Sequence, residues 1–352
     1  MEMSKPKRFT EITIALAVLL IVGIMVSSTL GRLDISLRAL ILSLRDLATG
    51  LLSSITGGRI AATQSAEVSD QVRAILYNTR LPRILLSCMV GCSLSAAGAS
   101  YQGVFQNPMA APDILGASSG AAMGAALAIL LGLASQFVMI FAFIASMITI
   151  ALVMLISKMA RGSKVLRIIL AGIMMSSLCN AVTSFIKLVA DPTSILPEIT
   201  YWMMGSLAKA RPEGVLFAAI PMVIGLVPLL LIRWRINLLT LSDSEAKTMG
   251  VNVTLVRVVV ILCATLITAA SVSVSGLIGW VGLVVPHLAR RLVGNNYKHL
   301  LPVSMLIGAI FLLIVDNVSR NLLMTEIPIG ILTAVIGAPF FIWLITRRKE
   351  TV

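Results

Sequence analysis

Few side chains in this sequence could carry chemistry, and most of them are in the wrong company. Cys88 and Cys92 stand four apart, so one helix face would hold both thiols as half of a metal site. No histidine or acidic residue lies nearby in sequence to complete the set, and the pair reads as small residues in helix packing. All four cysteines fall in apolar stretches, so no disulfide framework is implied. Neither G-x-x-x-x-G-K-[ST] nor H-E-x-x-H occurs, which removes a phosphate-cradling loop and a zinc-hydrolase helix. His287 and His299 lie at or near helix ends, away from any partner carboxylate inside an apolar segment. Asp316 is the only acid placed firmly within one, and Arg320 follows at i+4, where the two would pair on one face. No nucleophile stands with a base, so no catalytic residue, metal or cofactor is expected. The pattern offers amides instead. Gln102, Gln106 and Asn107 sit in 102-QGVFQNPMAAPD-113, a polar knot inside apolar chain.

The elements that must position this knot follow from composition. The chain has 352 residues, of which 58% are hydrophobic and 12% charged, with mean hydropathy +1.00. Soluble domains run at about 25% charged, so these values define a polytopic membrane protein. About 20 apolar residues cross a bilayer as helix. Ten segments qualify, at roughly 12–30, 84–104, 114–132, 136–157, 166–188, 214–232, 255–273, 276–292, 303–319 and 329–346. The expected fold is therefore an all-α integral membrane protein forming a single transmembrane domain over 1–352. The first segment is preceded by Lys5, Lys7 and Arg8, but its core is too long for a signal peptide and it reads as a retained helix.

The formal charge of +13 would suit a nucleic-acid binder if it were clustered. It is spread instead by topology. With both termini in the cytoplasm, 17 basic residues fall on the cytoplasmic side; setting aside the long first external loop, from Arg32 to Arg83, only 4 fall outside. Short loops set orientation and long ones count weakly. The lipid bilayer is the expected partner, and nucleic acid is not.

In lipid an unpartnered backbone group costs several kcal/mol, so irregular chain survives only where protein or water covers it. Gln102, Gln106, Asn107, Pro108, Pro112 and Asp113 are thus expected at a cytoplasmic turn between the second and third spans, or lining an aqueous path there, with Asp113 capping the next helix. Beyond it Gly116, Gly120 and Gly124 stand four apart and make a face nearly free of side chains, suited to close helix packing. Ser95, Ala99 and Gly103 on the second span would answer it. Residues 239–251 contain an S-x-x-E capping box, Ser242 to Glu245, then Ala246, Met249 and the stop Gly250, predicting a short cytoplasmic helix on which a partner could dock. A second docking piece is 286–302. Residues 192–212 are too short and interrupted to cross, and predict an external half-helix beside the path, with Tyr201 and Trp202 near the interface and counted among the path residues.

Several segments, in order, resemble the permeases of bacterial and archaeal ABC importers for iron–siderophores, haem and vitamin B12, the FecCD type. They are 80-RLPRILLSCMVGCSLSAAGASYQ-102, 107-NPMAAPDILGASSGAAMGA-125, 201-YWMMGSL-207, 276-GLIGWVGLVVPHLAR-290 and 326-EIPIGILTAVIGAPFFIWLI-345. The resemblance implies a ten-span homodimer in the cytoplasmic (inner) membrane, with two ATPase subunits below, a substrate-binding protein above and a path along the dimer axis. It implies that Arg80, Arg83 and Arg320 meet acidic residues of the binding protein, and that the inner gate lies at Asn107, Pro108 and Met109, with methionine where the family has leucine. It assigns ATPase contact to the capped helix of 239–251, where Ser242-Asp243 departs from the usual glycine and acid. Asn295-Asn296-Tyr297-Lys298 departs likewise from a D-H-R run. An iron–siderophore is the cargo favoured, with haem, vitamin B12 or an oxyanion as alternatives and an ion-coupled secondary carrier as the rival class.

Overall fold

The computed structural model describes residues 5–31, 35–55, 68–161, 163–240, 249 and 252–347. They are nearly all helical, and each of the ten expected segments carries a helix. These are α1 (Lys5–Thr29), α4 (Leu81–Val104), α5 (Ala117–Leu130), α6 (Ser135–Met159), α7 (Lys164–Val189), α9 (Pro212–Leu239), α10 (Val253–Ser275), α11 (Val281–Val293), α12 (Tyr297–Asn321) and α13 (Ile329–Arg347). Seven helices among the described residues are long and apolar enough to cross a membrane; Ala117–Leu130 and Ile329–Leu344 are shorter apolar helices. α8 (Ile195–Met203) occupies the segment read as a half-helix.

Burial shows which helix organises the bundle. In its most apolar stretch α4 is 78% buried, against none for α1 and 28% for α6. α4 touches α9, α10, α11 and α12, and small residues make this possible. Gly91 packs on the backbone of Gly308 in α12, and Gly98 on the backbone of Gly282 in α11, leaving no room at either place for a Cβ. With lipid tails as apolar as leucine, such close approach is what drives helices together in a bilayer. The main core then fills around Tyr101, whose hydroxyl meets Thr265 of α10 at 2.7 Å.

Two expectations change here. The small face of α5 does not meet α4: Gly120 and Gly124 lie against Thr149, Ala145 and Phe141 of α6, while the small residues of α4 serve α9, α11 and α12. The stretch from Arg32 to Arg83 is not simply loop. It contains α2 (Leu37–Ile55) and α3 (Asp70–Ile75), the latter running through a π turn, Leu76–Arg80, into α4. Leu40 and Ser43 of α2 are buried while Leu37, Ile41 and Leu44 are exposed. Asp46 pairs with Arg73 at 3.1 Å and fixes α2 to α3. The π turn has a local cause. Pro82 has no N–H to give to the preceding turn, and the helix widens just before it.

Candidate functional site

α4 ends at the knot through a named backbone device. The Asn107 N–H donates to the Gln102 carbonyl at 3.2 Å and the Gln106 N–H to that of Gly103 at 3.4 Å, with Gln106 left-handed at φ +51°. This is a Schellman cap carrying glutamine where glycine is usual. A side chain in that region costs about 1–2 kcal/mol. Gln106 recovers part of it by donating its Nε2 to the Leu239 carbonyl at the end of α9, 2.8 Å away. Asn107 then accepts the Met109 N–H on its Oδ1 at 2.9 Å, tightening the turn. After a 3-10 turn, Pro112–Leu115, the chain reverses through Gly116 at φ +81° into α5. Asp113 does not cap α5 as expected. Gly116 holds the cap position, and the Asp113 backbone carbonyl accepts the Gly116 N–H at 2.9 Å.

The break opens onto a cavity of about 690 Å³, lined by Gln102, Gln106, Asn107, Pro108 and Met109 together with residues of α11, α12 and α13. Of the residues expected at the turn, Gln102, Gln106, Asn107 and Pro108 line this cavity together with Met109, while Pro112 and Asp113 do not. Gln102 is 3% exposed; its Nε2 makes a long contact with the Gly282 carbonyl, 3.4 Å, and its Oε1 has no partner. Met109 is exposed at the rim. Across the cavity, Asn237 accepts the Tyr297 N–H at 2.8 Å and donates to Asn296 at 3.1 Å, tying the end of α9 to the start of α12. Of the departures at 295–298, Asn295 and Tyr297 line the cavity, and Asn296 serves the tie between α9 and α12.

Tyr201 and Trp202 are not part of this cavity. They lie near the end of α8, where three irregular segments converge. The Ser206 N–H donates to the Ser275 carbonyl at 2.8 Å, the Ile329 N–H to that of Gly205 at 2.8 Å, and Gly276 lies on the Trp202 carbonyl. α8 starts at an aspartate turn in which Asp191 Oδ2 accepts the Ser194 N–H at 2.7 Å and the Ser194 and Thr193 hydroxyls at 2.6 and 2.8 Å. The Ser194 hydroxyl first, and then Thr193, hold that carboxyl well below its usual range, at about 2.

Arg80, Arg83 and Arg320 also come together, but turned inward, at 5%, 6% and 9% exposure. Arg83 Nε donates to Asp316 Oδ1 at 2.8 Å, and its Nη1 reaches both oxygens of Glu326 at 2.9 and 2.8 Å. Arg320 lies 3.9 Å from Asp316 Oδ2, as its i+4 spacing implied, and donates to the Ser27 carbonyl of α1 at 2.7 Å. Arg80 donates to the Ser28 carbonyl at 2.8 Å. A second cavity, about 230 Å³, is lined by these arginines and Glu326. The sequence pointed to Asp316–Arg320; Arg83 as the stronger partner, 233 residues away, and Glu326 carried no local signal. Of the segment expected to dock the ATPase, Ser242, Glu245, Ala246 and Gly250 lie outside the described residues, and Met249 is exposed.

Apolar helices around a polar break, with charges paired in the interior, define a membrane conduit of the transport class. The chain belongs to the FecCD transport family, whose pattern matches residues 19–347. It is 38% identical over 346 residues to the molybdate import system permease protein MolB of Haemophilus influenzae, covering 98% of each chain. It is 37% identical over 295 residues to the hemin transport system permease protein HmuU of Yersinia pestis, covering 81% of this chain and 87% of that one. Its fold matches a solved ABC transporter of the metal-chelate type in an inward-facing conformation, with TM-score 0.83 and 36% identity, covering 96% of this chain and 99% of that one. The chain is accordingly a multi-pass ABC importer permease of the metal-chelate type.

Proposed function

We propose that this chain, as a homodimer in the cytoplasmic membrane with both termini inside, carries an iron–siderophore-type chelate inward. A binding protein delivers the cargo and two ATPase subunits supply the work. The observation that carries this reading is the cavity at the break between α4 and α5, lined by five of the seven residues expected along the path. A helix interrupted beside polar space is how transporters bring backbone and amide groups to a path without exposing them to lipid. Gln102, Gln106, Asn107, Pro108 and Met109 form the inner gate in this reading, and Tyr201 and Trp202 belong to the far end of the path. The arginine cluster around Glu326 is the docking ground for the binding protein, and residues 242–250 meet the ATPase.

A molybdate-like oxyanion is the second reading, favoured by the 98% coverage of the molybdate import permease. An ion-coupled carrier is disfavoured by Asp316. This acid is fully buried and paired with Arg83. The test is reconstitution of the complete importer in vesicles. ATP-dependent, receptor-dependent uptake of a ferric chelate is expected; uptake of molybdate alone would move the assignment to the oxyanion.

A further inference from the structure

We infer that the cavity at the α4–α5 break is an anion-gathering vestibule, and that the cargo presents negative charge to it. This rests on the importer reading and names its substrate class. Among the described lining residues the only charged side chains are Arg290 and Arg291, in the last turn of α11, with His287 one turn earlier. The opposite wall, from α13, contributes Phe341 and Leu344, and the end of α9 contributes Thr240, so no described carboxylate faces the two guanidiniums.

Basic residues at this place have a simpler explanation, since a helix C-terminus and a cytoplasmic border both attract them. Such residues extend their heads toward water and lipid headgroups. Arg290, half-buried, is arranged differently, whereas Arg291 is exposed. Arg291 lies with its guanidinium 4.8 Å over the ring of Trp343. Arg290 meets the Tyr297 hydroxyl but keeps a buried Nη1 without an acceptor, and Gln102, on the same lining and 3% exposed, keeps Oε1 unpartnered. Buried polar atoms normally find partners, so a donor and an acceptor left unpaired on residues that line one cavity are groups a ligand would satisfy once these side chains turn toward it. An oxyanion or an acidic metal chelate would accept from Arg290 and give a hydroxyl or bound-water hydrogen to Gln102. A neutral chelate would take only the second contact. The volume falls within the 300–1,000 Å³ range typical of small-molecule sites.

Fluorescence quenching tests this without any partner subunit. The full chain, with Trp202→Phe and Trp234→Phe so that Trp280 and Trp343 report, is placed in neutral-lipid nanodiscs and titrated with iodide, acrylamide and caesium. A cleft of one charge sign concentrates counter-ions by about tenfold or more, so iodide should quench well beyond acrylamide, and caesium well below it, with the difference falling as salt rises. Ferric citrate and molybdate should displace iodide; a neutral ferric hydroxamate should not. Arg290→Gln with Arg291→Gln should bring iodide down to the acrylamide level, with the circular dichroism of the helices unchanged. Equal quenching by iodide and acrylamide in the parent, or full iodide preference in the double variant, overturns the vestibule. Displacement by neutral and anionic chelates alike overturns the cargo class. Either result leaves ATP-dependent uptake by the assembled importer as a separate question.

Discussion

At one end α4 carries Arg83 into an ion cluster with buried Asp316 and half-buried Glu326; at the other it stops at Gln102 and Gln106, which line a cavity. The same helix thus ends once in paired charge and once in neutral polar groups. The difference follows from what each end must do. Charges out of water are tolerated only in mutual contact, and breaking one side of such a pair leaves the other stranded. Amides can exchange a backbone carbonyl for water or a ligand at little net cost. The arginine end is therefore built to hold α1, α4 and α12 in one arrangement, and the amide end is built to change.

The contrast is broken most severely at Asp316. Asp316→Ala should cost about 3–5 kcal/mol by leaving Arg83 and Arg320 beside a void. It would appear as a large drop in thermal unfolding temperature in detergent, whereas Gln102→Ala should cost about 1 kcal/mol or less. Equal losses at the two sites would erase the distinction. Met109→Ala sharpens it from the other side. The rim loses its flexible apolar plug, so passive leak from dye-loaded vesicles should rise while the unfolding temperature stays close to the parent value. Gln106→Gly should shift stability by about 1 kcal/mol at most, because relief of the left-handed backbone offsets the lost bond to Leu239. A much larger loss would show that the side-chain bond dominates the cap.

The smallest effect is expected at α8. With Asp191 held at about 2, below the ordinary 3.8, its contribution to the turn is complete above pH 3.8 and fades as pH falls toward 2. Trp202 fluorescence should follow that window, and Asp191→Asn should flatten it.

Much of this was legible from residue types. Ten apolar segments marked ten helices, and the run Gln102 to Asp113 marked the break because polar groups and two prolines cannot continue in lipid. Three things were hidden. α2 reads as loop because Arg38, Arg45 and Asp46 interrupt its apolar pattern, and its partner Arg73 is 27 residues away. The inward turn of the three arginines depends on Asp316 and Glu326, which only the packing of α4 on α12 brings near. The partner of the α5 glycines could not be known either, since a small face says that something is close without saying what.

The account as a whole stands on borrowed power, and vesicles containing the chain alone test that directly. Under an imposed proton or sodium gradient, with no ATPase present, internal ferric chelate and molybdate should never exceed their external concentrations; adding the ATPase, receptor and ATP should drive them above. Accumulation against a gradient by the chain alone, driven by the ion difference, would contradict the account.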